Sequence, residues 1–227
     1  MSNYYSMNLN ARRLYEVYQT KYQQVNAYLE SEIAFVRRGL RNTDNVLELG
    51  AGYGRIMKEL ASSCKSIWGI DISEDNVIFG REYLNNMPNA KLTVMDAHQI
   101  EPNAFGTTFQ TVLCLQNALS SMKVEPFSYV RKMMSLLSFG GNAWISTYSP
   151  KFWLHRLAWF QEQADKGLLG EIDMEQTKDG IIVCKDGFKS FSHTSEQLVE
   201  IGKASGYSFE VQEVDESCIF LVITKNR

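Results

Sequence analysis

The ten residues Val46-Leu47-Glu48-Leu49-Gly50-Ala51-Gly52-Tyr53-Gly54-Arg55 constrain the fold of this chain more than any other stretch. A short apolar run enters an acidic residue and then three glycines that alternate with other residues. Ile56, Met57, Leu60 and Ala61 follow at helical spacing. The pattern predicts a buried parallel strand, a glycine turn and the first turn of a helix. Glycine serves such a turn because the backbone bends tightly and a ligand can approach with no Cβ in the way. A new helix presents unpaired N–H groups and the positive end of its dipole there. The turn is therefore expected to carry a nucleotide-like ligand.

The spacing bears on which one. A dinucleotide turn has Gly-x-Gly-x-x-Gly with pyrophosphate on the helix start. Here the third glycine arrives one residue early, and Arg55 fills the position where close helix–strand packing needs glycine or alanine. Glu48, at the end of the strand, would repel a pyrophosphate and suits a cationic ligand. A second strand, Ser66 to Ile70, ends on Asp71, about twenty residues beyond Gly50, where a carboxylate can accept from ribose hydroxyls. Asp71 can equally serve the start of the helix that follows Ser73. A third strand, Lys91 to Met95, ends on Asp96-Ala97-His98. A fourth, Thr111 to Leu115, ends on Gln116-Asn117-Ala118-Leu119-Ser120. Each apolar strand thus brings polar residues to its carboxyl end, where open α/β sheets bind ligands.

On these motifs the chain resembles the class I S-adenosylmethionine-dependent methyltransferases. Glu48-Leu49-Gly50-Ala51-Gly52-Tyr53-Gly54 is similar to that family's first motif, Gly69-Ile70-Asp71-Ile72-Ser73 to its second and Asp96-Ala97 to its third. Leu115-Gln116-Asn117-Ala118-Leu119 occupies the fourth. The four stand in order over residues 20 to 150. The resemblance implies a Rossmann-like α/β fold with a doubly wound, mostly parallel sheet, an antiparallel C-terminal hairpin and helices on both faces. It also implies S-adenosyl-L-methionine as cofactor and S-adenosyl-L-homocysteine as product. Gly50, Ala51, Gly52 and Gly54 would pass under the methionine part, with Arg55 beside them and Glu48 on the ammonium. Asp71 would take the ribose hydroxyls, Ile72 the adenine face, and Asp96 with Ala97 the adenine edge. Gln116 and Asn117 would lie near the sulfonium and the acceptor, and Tyr22, from an N-terminal helical lid, would touch the cofactor.

Composition sets the outer limits. The 227 residues suit one α/β domain, with residues 1–42 as lid and 149–193 as an inserted flap. A net charge of −3 leaves no electrostatic footprint for nucleic acid. No apolar run approaches the roughly 20 residues that cross a membrane, and Met1-Ser2-Asn3-Tyr4-Tyr5 lacks the apolar core of a signal peptide. Cys64, Cys114, Cys184 and Cys218 form no Cys-x-x-Cys pair and read as reduced thiols of a cytoplasmic protein, monomeric or homodimeric.

Residues 8 to 40 predict one or two amphipathic helices, with Tyr15, Tyr18 and Tyr22 at helical spacing. Helix Phe127 to Leu137 and strand Asn142 to Thr147 follow the fourth strand. Beyond them an aromatic-rich helix opens the insertion. Lys178-Asp179-Gly180 and Asp186-Gly187 then punctuate β-prone runs, which predicts an antiparallel flap of three short strands. A helix capped by Thr194 or Ser195 and a hairpin of Tyr207 to Val214 with Cys218 to Thr224 close the chain. The insertion would shape the acceptor site, with Tyr148, Trp153, Arg156, Trp159 and Phe160 as lining candidates. His155 and His193 are candidate general bases, although a lone histidine is more often a structural hydrogen-bonder. Methyl transfer from a sulfonium can proceed without a base, because positioning supplies much of the rate.

No carboxylate cluster suggests a metal. Neither the Pro-Pro-aromatic motif of DNA amino-methylation nor a Pro-Cys nucleophile is present. The expected activity is methyl transfer to a small molecule, with N, O, S and C acceptors open. A non-catalytic domain that senses the cofactor or its product is the alternative.

Overall fold

The computed structural model describes Tyr4 and residues 8–226. Among them, seven strands form one sheet: β1 (Asn45–Leu49), β2 (Ser66–Asp71), β3 (Ala90–Val94), β4 (Phe109–Cys114), β5 (Leu137–Tyr148), β8 (Ser208–Val214) and β9 (Cys218–Thr224). Their order is β3-β2-β1-β4-β5-β9-β8. β1 to β5 are parallel, β9 runs antiparallel to β5, and β8 antiparallel to β9. This is the expected Rossmann-like α/β architecture. The order reverses between β1 and β4, which opens a crevice at their carboxyl ends.

The central strands β1, β4 and β9 are buried on both faces, so they read as apolar runs rather than alternating ones. Their side chains divide between two cores by the pleat. Trp144 and Phe220 point to one, and Ile145, Leu221 and Ile223 to the other. The first core is covered by α1 (Ala11–Val17), α2 (Gln23–Gly39), α3 (Arg55–Leu60), α4 (Glu74–Tyr83) and α7 (Trp153–Asp165). The second lies under α6 (Pro126–Leu136) and α8 (Ser195–Ser205), and the short α5 (Ala118–Ser121) follows β4.

Caps explain several helix starts. The Ser73 hydroxyl accepts from Asn76 N at the head of α4, and Glu125 from Phe127 N and Ser128 N ahead of Pro126. Thr194 and Gln197 form a reciprocal capping box on α8.

The N-terminal stretch folds as two helices rather than one. Tyr18 closes α1, and the Thr20 hydroxyl accepts from Tyr22 N in the break. The part of the expected lid that precedes residue 8 lies, apart from Tyr4, outside the described residues.

The insertion departs from the expected three-stranded flap. It holds one two-residue pair, β6 (Ile182–Val183) with β7 (Lys189–Ser190), and the third strand shrinks to an Ile172–Cys184 bridge. The backbone bonds Asp173 N to Val183 O and Lys185 N to Glu171 O keep a short ladder, and side chains extend it. Asp186 accepts from Gly170 N and Phe188 N, and Thr177 pairs with Val183 through both its backbone groups. Such side chain–backbone bonds compete with sheet pairing wherever Asp and Thr are dense.

Candidate active site

A cavity of about 760 Å³ occupies the crevice over the carboxyl ends of β1, β2 and β4. Its floor is the glycine turn. Gly50, Gly52 and Gly54 have φ of +72°, +55° and +84°, a region where side chains are strained. A Cβ on Gly52 would also come within 2.9 Å of Leu14, so α1 rests directly on the turn as a roof.

Asp71 builds this floor. Its Oδ2 accepts from Gly52 N at 2.9 Å, and its Oδ1 from Ser73 N at 2.9 Å and Asn76 Nδ2 at 3.0 Å. A carboxylate has about four acceptor sites, so about one stays open toward a ligand. Burial raises the Asp71 pKa, and the three hydrogen bonds pull against it.

Glu48 and Arg55 flank the turn, and both line the cavity. Glu48 is 3% exposed. Burial pushes its carboxyl up to about 8 against the pull of the Arg55 guanidinium, with Glu32 and Asp71 adding to the rise. Glu48 Oε2 and Arg55 Nη2 are both buried and have no hydrogen-bond partner among the described residues. The Arg55 guanidinium lies 4.5 Å from the centre of the Tyr18 ring.

At the end of β4, Gln116 and Asn117 both take left-handed backbone, with φ of +56° and +59°. Non-glycine residues held so are strained and cluster where a site dictates the geometry. The restraint here is Glu32 of α2, fully buried, which accepts from Gln116 N, from Gln116 Nε2 and from the Ser146 hydroxyl. Gln116 Nε2 also donates to Tyr28 Oη at 2.9 Å. Asn117 is tied on both sides: its Oδ1 accepts from the Thr147 hydroxyl, and its Nδ2 donates to Phe191 O in the insertion.

The structure brings most of the expected cofactor residues onto one wall: Glu48, Gly50, Ala51, Gly52, Arg55, Asp71, Ile72, Asp96, Ala97, Gln116 and Asn117. Gly54 sits just behind as the N-cap of α3. Tyr22 stands apart, 43% exposed at the head of α2, and the tyrosine of that stretch on the wall is Tyr18.

Of the acceptor candidates, Tyr148, Trp159 and Phe160 line the cavity, whereas Trp153 and Arg156 lie behind it. Arg156 is 1% exposed and donates to Gly180 O, Ser190 Oγ and Ser192 Oγ, pinning the insertion to α7. Neither expected histidine is on the wall. His155 faces outward on α7, and His193 Nδ1 meets the Ser120 hydroxyl at 3.1 Å, with burial lowering its pKa. The histidine that lines the cavity is His98.

Residues passed over in the sequence also shape the site, namely Glu32, Tyr18, Gln163, Phe188 and Ser190. Only Glu32 leaves a clear signal, an acid among Val25, Tyr28, Leu29, Ile33 and Val36 on the buried face of α2. Among the described residues no group of acidic, histidine and cysteine side chains is arranged to hold a metal.

A methyltransferase-domain family model matches residues 46–141, the segment that contains the whole turn and the β4 end. An uncharacterized methyltransferase of Schizosaccharomyces pombe is 37% identical over 76 residues, 32% of this chain and 28% of that protein. A malonyl-[acyl-carrier protein] O-methyltransferase of Ilyobacter polytropus is 26% identical over 134 residues, 57% of this chain and 47% of that protein. The chain thus aligns with less than half the length of either relative. Among solved structures, DhpI, described in complex with SAM and HEP, superposes with a TM-score of 0.63 at 16% identity, covering 93% of this chain and 92% of that one. Residues 46–141 thus match a methyltransferase-domain model, and the chain has the fold of the class I S-adenosylmethionine-dependent methyltransferases.

Proposed function

We propose that the protein transfers a methyl group from S-adenosylmethionine to a small-molecule acceptor. One observation carries the reading: a buried carboxylate oxygen of Glu48 and a buried guanidinium nitrogen of Arg55, both unpartnered among the described residues, flank the glycine turn on one cavity wall. Unsatisfied buried polar atoms are rare and costly. An acceptor and a donor of opposite charge side by side complement the ammonium and carboxylate of an amino-acid ligand. The Glu48 carboxylate would repel a pyrophosphate. The methyltransferase-domain match supports the same cofactor.

When bound, S-adenosylmethionine supplies a methyl on a sulfonium whose positive charge already activates the leaving group. The chain's residues then have holding and orienting roles. Glu48 and Arg55 grip the amino-acid end, and Asp71 shapes the turn while its remaining acceptor site meets a ribose hydroxyl. Ile72, Asp96 and Ala97 receive the base. Gln116 and Asn117, fixed by Glu32, Ser146 and Thr147, set the edge where the acceptor arrives. The aromatic wall excludes water. Alignment of this kind contributes on the order of 7–11 kcal/mol to such a reaction, and no residue need exchange a proton in the displacement itself. The four buried free thiols fit a cytoplasmic setting.

Calorimetric titration with S-adenosylmethionine and with NADH tests the cofactor. Micromolar-range binding of the first is expected, lost in Asp71→Ala. Tight NADH binding with none for the sulfonium overturns the reading. A screen of metabolite pools for a mass gain of one methylene tests catalysis. A binder that methylates nothing in any pool is a sensor rather than an enzyme.

A further inference from the structure

Beyond the glycine turn the cavity continues into a chamber between α7, the insertion and the roof helix α1. Its wall carries the rings of Tyr18, Tyr148, Trp159, Phe160 and Phe188. Among them stands a hydrogen-bonding side chain with nothing to bind. Gln163 is 4% exposed and lines the cavity, and its side-chain amide has no hydrogen-bond partner among the described residues. It follows Trp159 and Phe160 by four and three positions on α7, so the three share one helix face. An amide that faces the cavity with no partner on the protein marks Gln163 as a group that an occupant can satisfy.

Ser190 faces the same space from β7. Its Oγ accepts from Arg156 Nη2 at 2.8 Å, which leaves the hydroxyl proton to donate into the chamber, polarised by the guanidinium behind it. The chamber therefore offers a donor at Ser190 and both a donor and an acceptor at Gln163.

Charge narrows the occupant. The charged residues of the cavity wall, Glu48, Arg55, Asp71, Asp96 and Lys123, lie at the turn and beyond the ends of β3 and β4. Of these, Arg55 meets one of the rings, 4.5 Å from the centre of Tyr18, and in the function proposed above it holds the carboxylate of the amino-acid ligand. A cation would be drawn to the aromatic faces, but Arg156 already lies 4.5 Å from the centre of the Tyr148 ring and 5.4 Å from that of Phe160. It takes up the attraction of those rings and repels a second positive charge. With Arg55 engaged by the cofactor, an anion would shed its hydration without a counter-ion in direct contact.

We propose that the methyl acceptor is a neutral, flat molecule with a carbonyl oxygen beside an N–H or O–H donor, read by Ser190 and Gln163 against the rings of α7 and the insertion. The proposal rests on the reading that the glycine end holds S-adenosylmethionine. Four fragments on one flat bicyclic frame and of different chemistry test it on the full chain saturated with S-adenosylhomocysteine: quinolin-2-one, naphthalene, 2-naphthoate and naphthalen-2-ylmethylammonium. Quinolin-2-one is expected to bind about tenfold more tightly than naphthalene, the worth of a satisfied buried amide.

Gln163→Leu should erase that margin while naphthalene and S-adenosylhomocysteine bind as before, and Ser190→Ala should reduce it. Tightest binding by either ion overturns the proposal, and so does a margin that survives in Gln163→Leu. Titration of S-adenosylhomocysteine is read separately. Its failure would sink the cofactor reading, and the fragment ranking on the chain alone would still decide the chemistry of the chamber.

Discussion

Glu48 shows how one buried carboxyl couples binding to pH. Burial lifts it from an ordinary carboxylate to about 8, so near neutral pH the ligand-free protein holds it mostly protonated. The folded chain then binds a proton that the unfolded chain has released, and stability falls as pH rises from about 4.5 toward 8. An ammonium needs the ionised form, so cofactor binding expels the proton and affinity strengthens with pH. Between about pH 6 and pH 7.5, the affinity of S-adenosylhomocysteine should climb by up to about tenfold per unit. Calorimetry in buffers of different ionisation enthalpy should find close to one proton released. Glu48→Gln should flatten the pH profile and abolish the release. A flat profile in the unmodified protein would show that Glu48 does not face the ligand's charge. At this scale the motif residues were legible because glycines and acids at strand ends are rare patterns. Gln163 and Phe188 were not, because nothing in an isolated glutamine or phenylalanine says which wall it meets.

Elements were legible where periodicity and caps agree. β1, β2 and β4 stand within a few residues of their expected places because buried parallel strands need unbroken apolar runs. Thr194 with Gln197 marks the start of α8 as a capping box does. The insertion is less legible, since Asp-Gly turns signal a hairpin and do not reveal how short its strands will be. Arg156 ties it down from α7 as well, reaching Gly180 O, Ser190 and Ser192. Arg156→Met keeps the packing against Tyr148 and Phe160 and removes those three partners' donors. Leaving buried acceptors bare costs about 1–3 kcal/mol. The loss should appear as a lower denaturant midpoint. Faster amide exchange and proteolysis should be confined to residues 171–191, with protection in β1 and β4 unchanged. Uniform loss of protection across the sheet would mean that Arg156 supports the whole domain rather than the insertion.

The molecule as a whole joins three parts of the chain that are far apart in sequence. The sheet reverses order between β1 and β4 and sets the floor, and the insertion supplies one wall. The roof comes from the other end of the chain, where Leu9, Leu14, Val17 and Tyr18 line the cavity. Trp159 Nε1 donates to Val17 O at 3.0 Å, and Arg13 Nη2 donates to Gly167 O at 2.8 Å, so the roof is fastened to α7 and the loop after it. None of the strands depends on α1 for pairing. Removing residues 1–19 should therefore leave a cooperatively melting sheet with an uncovered turn. Closure of this kind slows escape more than it speeds entry, and most affinity differences lie in the off-rate. S-adenosylhomocysteine should leave the shortened chain at least about tenfold faster, with an on-rate changed less than about threefold. Stopped-flow following the intrinsic tryptophan fluorescence, to which Trp159 on the cavity wall contributes, can read both rates. An unchanged off-rate would show that α1 packs on the turn without holding the ligand. A lost on-rate with an intact melt would show that the helix forms part of the floor itself.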